Sequence, residues 1–192
     1  MPNILAFAGS TRKGSYNAKL VKIAAEGAQK AGANVNLIDL SKYPLPFMNQ
    51  DLEAESGLPE NARKLKQLFK ESDGFIIASP EYNSAFSSIL KNTLDWISRT
   101  ESEDEVELIA FKDKTAVIMA ASTGYLGGLR GLVFLRMLLA NLGITVLATQ
   151  LTISHAAKAF NDNGTLVKGQ KQLSALELGE RLFQALVDQH KN

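Results

Sequence analysis

The stretch FAGSTRKGSYN, Phe7–Asn17, concentrates groups that could hold an anion. Gly9 and Gly14 stand at the spacing of a G-x-x-x-x-G phosphate loop, yet Ser15 occupies the position where that loop carries lysine to bridge the β- and γ-phosphates. The dinucleotide pattern G-x-G-x-x-G fails as well, because Thr11 replaces its second glycine. What remains is a donor set. Ser10, Thr11 and Ser15 carry hydroxyls, Asn17 an amide and Arg12 a planar guanidinium, and a helix opening near Tyr16 would present free N–H groups and its positive dipole end. Such a set suits a monoester phosphate with three terminal oxygens. The competing account is a well-capped helix with incidental surface Arg and Lys.

Two further stretches carry chemistry. Ser79–Trp96, SPEYNSAFSSILKNTLDW, begins with Pro80, Glu81, Tyr82 and Asn83, a rigid turn bearing a flat ring and an amide. Groups of this kind bound flat heteroaromatic ligands, with backbone N–H and C=O reading the ligand edge; Asn83 as a turn residue and Glu81 as a solvated charge are the plain alternatives. Trp96 reads as core. Ala121–Gly131, ASTGYLGGLRG, offers Ser122, Thr123, Gly124 and Tyr125, and Gly124, Gly127 and Gly128 allow close backbone approach to a ligand or merely a tight strand–helix turn. His155 reads as a surface or packing residue.

The elements that would position these loops alternate. Apolar runs at 4–8, 35–40, 74–79, 115–121 and 144–148 read as strands, the first buried on both faces. Helical patterns cover about 16–31, closed by Gly32, then a helix opened by Pro59 and Glu60, then 87–99, 126–142 and a C-terminal amphipathic stretch. Tyr43–Phe47 contains two prolines and is irregular, Glu101–Glu107 reads as a solvated acidic segment, and Asn161–Gly164 is a turn. Five β-α units predict an α/β fold with a parallel sheet covered on both faces. Ligands of such sheets sit beyond the carboxyl ends of the strands, where the loops after strands one, three and four converge.

Composition narrows the classes further. The 192 residues, 45% hydrophobic and 21% charged, fit one domain spanning 1–192. A net charge of +1 gives no pull toward nucleic acid or anionic lipid, and there are no cysteines for disulfides, thiolate metal sites or nucleophilic catalysis. Two histidines leave little for zinc or for acid–base work, and no metal ligand is expected. Without a signal-like opening or a membrane-length apolar run, a cytoplasmic protein is expected.

Taken together, the motifs resemble those of the NADPH-dependent FMN reductase family, the flavodoxin-like quinone, azo and chromate reductases. GSTRKGSYN is similar to the family's G-S-x-R-x-x-S-x-N loop at Gly9, Ser10, Arg12, Ser15 and Asn17. Pro80, Glu81, Tyr82 and Asn83, followed by Leu90, Lys91, Asn92, Asp95 and Trp96, match P-E-Y-N and L-K-N-x-x-D-W, and Ser122, Gly124, Gly127 and Gly128 fit S-x-G-x-x-G-G. One departure is local: Ser84-Ala85-Phe86-Ser87 replaces the usual glycine and proline, which puts substrate preference in doubt.

The resemblance implies a flavodoxin-like three-layer sandwich with strand order 2-1-3-4-5, an arrangement in which flavodoxins hold FMN at the switch point between strands one and three. It implies noncovalent FMN, its phosphate in Ser10–Asn17 (Tyr16 included) and its ring against Pro80–Asn83 and Ser122–Tyr125. It further implies ping-pong hydride transfer from NADPH or NADH to FMN and on to quinones, azo compounds, free flavin or metal oxyanions. A flavodoxin-type electron carrier is the alternative; flavodoxins are strongly acidic, and this near-neutral chain places Arg12 in its loop. The nearly all-apolar helix 126–142 is expected to be buried on two sides, one against the sheet and one against a second copy, giving a dimer or tetramer, unless the C-terminal segment covers it.

Overall fold

The computed structural model describes residues 1–189, so His190 lies outside the described residues. Five parallel strands, β1 (Asn3–Ala8), β2 (Asn34–Ile38), β3 (Gly74–Ala78), β4 (Thr115–Ala121) and β5 (Thr145–Ile153), form one sheet in the order β2-β1-β3-β4-β5. The pattern of residues explains the order. Every residue of β3 and β4 is buried, as is all of β1 except Asn3, whereas β2 and β5 mix polar and apolar residues, are largely exposed or half-buried, and lie at the edges. Runs that are apolar on both faces can be satisfied only in the middle of a covered sheet.

Helices α1 (Tyr16–Ala31) and α7 (Gly169–Gln189) cover one face, with Leu20, Ala24, Ala28, Leu178 and Leu182 in its core. α3 (Glu60–Lys70), α4 (Ser88–Ile97) and α5 (Leu129–Asn141) cover the other. There Phe69 packs against Phe7, Phe75 and Phe111 with ring centroids 4.7–5.9 Å apart. Burial of each such side chain contributes about 1.5–3 kcal/mol. Two short helices, α2 (Gln50–Ser56) and α6 (Ala156–Ala159), lie in the connections.

Several boundaries depart from the sequence reading. β2 ends at Ile38, and Leu40–Lys42 form a 3-10 turn capped by Asp39, whose Oδ1 accepts from Ser41 N at 2.9 Å. α5 starts at Leu129 rather than 126, because Gly127 and Gly128 adopt positive φ and finish a turn first. β5 runs on to Ile153 rather than ending at 148, past a register irregularity between Ala116 and Ile118 of β4. α2 has no buried residue and no counterpart among the helices expected from the sequence.

The acidic segment 101–107 is more than a solvated stretch. Lys66, 2% exposed, donates to Arg99 O at 2.7 Å and pairs with Glu105, with Glu101 3.6 Å away. Burial disfavours ionised Glu105, but hydrogen bonds from Lys66 Nζ and the Glu101 N–H outweigh it and hold the carboxyl below its ordinary value. Trp96 is fully buried, and its Nε1 donates to Pro46 O at 2.8 Å. Asn92 brackets the same segment, its Oδ1 accepting from Met48 N and its Nδ2 donating to Pro46 O, both at 2.8 Å, while Lys91 and Asp95 form an i,i+4 ion pair on α4. The L-K-N-x-x-D-W stretch therefore straps the proline-containing connection to α4.

Candidate active site

The first loop leaves β1 where Gly9 N donates to Ala78 O at 2.8 Å, one step beyond the strand pair. Gly9 is small for a packing reason. A Cβ there would lie 2.9 Å from Ser87 Oγ and 3.0 Å from Leu90 Cβ, and Ser87 Oγ itself donates to Gly9 O at 2.5 Å. The loop then turns into α1, whose N-cap Ser15 accepts from Ala18 N at 3.3 Å. The N–H groups of Tyr16 and Asn17, in the first turn, have no acceptor among the described residues, and neither do those of Thr11 and Gly14. Convergent unpaired N–H groups at a helix start make an anion cradle.

Arg12 is exposed and closes on its own loop, donating to Lys13 O and Gly14 O at 3.2 Å each, with its guanidinium 5.2 Å from the Tyr16 ring. Tyr16 in turn stacks on Phe160, 5.8 Å between centroids and 13° between planes. Asn17 corrects the donor set. Its side chain is buried and faces the sheet: Nδ2 donates to Ala121 O and Oδ1 accepts from Ala121 N, both at 2.9 Å. Only its backbone N–H remains for a ligand at α1, because the amide is committed to tying the helix to the end of β4.

In the second loop, Tyr82 and Ala85 exchange both backbone hydrogen bonds, 2.8 and 3.0 Å, around Asn83 and Ser84 at φ 49° and 72°. Two successive non-glycine residues in the left-handed region make a tight primed turn and store strain of the kind found at binding loops. Tyr82 is 53% exposed, and the Asn83 N–H has no acceptor among the described residues. Phe86, part of the local departure from the family pattern, is partly buried and packs against the core on the α3–α5 side of the sheet. Glu81 is neither a solvated charge nor a free ligand group. Oε1 accepts from Arg130 Nη2 at 3.0 Å and Oε2 from Gly131 N at 3.0 Å, so Glu81 caps α5, which has no capping side chain of its own.

The third loop is pinned on both sides. Ser122 N donates to Ile153 O at 3.0 Å, Ala156 N to Ser122 O at 3.0 Å and His155 N to Gly124 O at 3.2 Å. Gly127 and Gly128 pass so close to β5 and β4 that a Cβ at Gly127 would lie 2.8 Å from Ile153 C, and one at Gly128 2.6 Å from Ala120 Cβ. Both glycines therefore serve backbone packing. Thr123 and Gly124 are exposed, and Tyr125, 82% exposed, meets the His155 ring edge-on at 6.2 Å.

The three loops meet in one cleft of about 270 Å³ at the carboxyl edge of β1, β3 and β4. Of the residues expected there, Ser10, Arg12, Ser15, Tyr16, Asn17, Pro80, Glu81, Tyr82, Ser122 and Thr123 line it; Asn83, Gly124 and Tyr125 do not, although each lies within two residues of one that does. Ala121 lines it unforeseen, and Ser87, Arg130 and Phe160 support it from behind. No cluster of three or more potential metal-ligating residues occurs among the described residues. The arrangement fits FMN: unpaired N–H groups, Ser10 and Arg12 at the α1 end suit a terminal phosphate, and the Pro80–Tyr82 and Ser122–Thr123 walls suit a flat ring.

Comparisons with known proteins agree with that fit. The family model for NADPH-dependent FMN reductase matches residues 2–158. An NAD(P)H-dependent FMN reductase of Pseudomonas aeruginosa is 34% identical over 93% of this chain and 95% of its own. An NAD(P)H:quinone oxidoreductase of Solanum tuberosum is 36% identical over 65% of this chain and 61% of its own, and a quinone reductase of Escherichia coli K12 31% identical over 75% and 72%. Among solved structures, the flavoenzyme NAD(P)H:(acceptor) oxidoreductase of Paracoccus denitrificans superposes with a TM-score of 0.81 at 24% identity, covering 98% of both chains, which shows the shared fold. On the family match, the relatives and the cleft, the chain belongs to the NADPH-dependent FMN reductase family.

Proposed function

We propose that this chain, an FMN-dependent NAD(P)H oxidoreductase, works by a ping-pong cycle in which NAD(P)H and then a quinone or similar acceptor occupy the same open side of the three-loop cleft, with residues 1–192 acting as one flavin-binding domain. The observation that carries this reading is the convergence of Ser10–Asn17, Pro80–Tyr82 and Ser122–Thr123 on one cleft. When bound, FMN supplies the redox chemistry, accepting hydride from the reduced nicotinamide and passing two electrons to the acceptor. The chain's own residues bind and orient. The α1 N-terminus, Ser10 and Arg12 hold phosphate charge, Tyr82 provides an exposed ring in the cleft wall, and Tyr125 a second exposed ring two residues beyond the lining Thr123. N–H groups in the strained Asn83–Ser84 turn stand preorganised for charge that grows on the ring edge. No side-chain acid or base is required.

The same reading includes self-association. α5 buries Leu132, Leu135 and Leu139 on the sheet and leaves Leu129, Val133, Phe134 and Met137 exposed. α7 packs on the opposite face of the sheet, so the C-terminal segment does not cover them. An apolar helix face of this kind, continuous with the exposed Leu126 and Tyr125, supports a second copy docking next to the cleft. Val133→Asp is expected to shift sedimentation toward monomer; an unchanged assembly places the contact elsewhere. For the reaction, the test is NADPH oxidation by FMN-loaded protein with menadione as acceptor. Turnover no faster than that with free FMN would refute the enzyme reading and leave an electron carrier.

A further inference from the structure

A second cavity, of about 200 Å³, opens at the carboxyl end of β5, between α6 and the start of α7. Its wall is joined directly to the third loop of the flavin cleft, through Ser122 N to Ile153 O at 3.0 Å and His155 N to Gly124 O at 3.2 Å. Adjacent strands lie ~4.8 Å apart, so the cavity stands one or two strand spacings from the cleft. Its floor is apolar, formed by the buried Ile153 and Leu166, with the exposed Val167 at its edge. Its rim carries Lys158, Lys168 and Lys171, and no carboxylate lines it. Among the described residues none of the three lysines forms an ion pair, although Lys30, Lys64, Lys66, Lys70 and Lys91 all do.

An apolar floor under three uncompensated cations suits a flat base attached to a phosphate monoester. We propose that this cavity receives the 2′-phosphoadenosine end of the reduced dinucleotide, and that Lys158, Lys168 and Lys171 thereby make the chain prefer NADPH to NADH. The inference rests on the proposed hydride-donor reaction at the neighbouring cleft. The pyridine end then lies over the three-loop cleft, and the tail crosses the third loop beside Tyr125 and His155, whose rings already touch edge-on. A different basic hollow, lined by Arg12, Lys13, Lys19, Lys22 and Lys42 with Asp39 as its one carboxylate, lies on the β2 side of the first loop. It shares Ser10, Arg12 and Ser15 with the cleft but contains no residue of the second or third loop, and its outlying Lys42 provides a control.

The test compares ligands that differ only by the phosphate. Calorimetry on FMN-loaded protein is expected to show adenosine 2′,5′-bisphosphate binding at least about tenfold tighter than 5′-AMP, the scale of one charge-assisted contact. The double variant Lys158→Gln/Lys171→Gln should lose most of that difference and raise the KM for NADPH by about tenfold while leaving that for NADH within about twofold. Lys42→Gln should change neither. Equal binding of the two nucleotides by the unaltered protein, or a phosphate preference that survives the double variant, overturns the assignment. Binding is measured without turnover, which separates the two readings. Protein that oxidises both dinucleotides equally retains the reaction and loses this site, whereas lysine-dependent bisphosphate binding without NADPH oxidation does the reverse.

Discussion

Asn17→Ala distinguishes a residue that holds a ligand from one that builds the site. In the structure the Asn17 side chain makes two hydrogen bonds of 2.9 Å to the N–H and C=O of Ala121 at the end of β4, and it is buried. Truncation leaves both backbone groups without a protein partner. Each unsatisfied buried group costs about 1–3 kcal/mol, and because Ala121 borders the cleft, water can reach it and hold the cost to the lower half of the range. A loss of about 3 kcal/mol of stability is expected, equivalent to about 6–12 °C in Tm for a domain of this size. Urea unfolding of the protein stripped of flavin measures it without any contribution from the ligand. Asn17→Asp should recover part of the loss, since a carboxylate still accepts from Ala121 N but opposes Ala121 O. If apoprotein stability were unchanged and only FMN affinity fell, the Asn17 amide would be a ligand contact and the assignment would be wrong.

Three other perturbations probe the packing, the buried ion pair and the phosphate loop. Gly179→Ala places a Cβ 1.8 Å from Ala24 O across the α1–α7 contact, so a loss at or above the 1–3 kcal/mol usual for overpacking, about 3 kcal/mol, is expected in denaturant unfolding; a neutral result would mean that the helices separate freely. Glu105 is held below its ordinary value of 4.5, so its stabilising contribution is complete above that pH and fades as pH falls through the lower folded-state value. Glu105→Gln should remove that component from the acid limb of a stability–pH profile and lower neutral stability, whereas matching profiles would sever the Lys66 link. Arg12→Ala should weaken FMN binding about ten- to a hundredfold, read by fluorescence titration, unless its guanidinium stays folded on Lys13 O and Gly14 O when the cofactor arrives.

Where information was local, the sequence was a good guide. Gly9, the hydroxyl-rich turn, the 16–31 periodicity and Gly32 located β1, its loop and α1 closely, with Gly32 at φ 113° closing the helix. Strand order followed from the resemblance and agrees with the sheet. What could not be read depends on partners distant in the chain. Asn17 looks like a ligand donor until Ala121, 104 positions away, is seen to claim it. Glu81 similarly finds its acceptor role 50 positions on, at Gly131. Lys66 carries no sign of burial in its residue type, because the charge that permits it comes from Glu105. α2 buries nothing and so leaves no apolar periodicity to detect.

The α1–α7 contact has a further consequence for how the molecule breathes. Gly27 and Gly179 let the two backbones approach until a methyl group on either would strike the other chain segment. Helices this close cannot open separately, so their amides should exchange with deuterium as one cooperative unit. An anion seated on the first turn of α1 would then slow exchange deep in α7, which lines no part of the three-loop cleft. Occupancy of the proposed flavin site would thus be read in the protection of a helix more than 130 residues further along the chain.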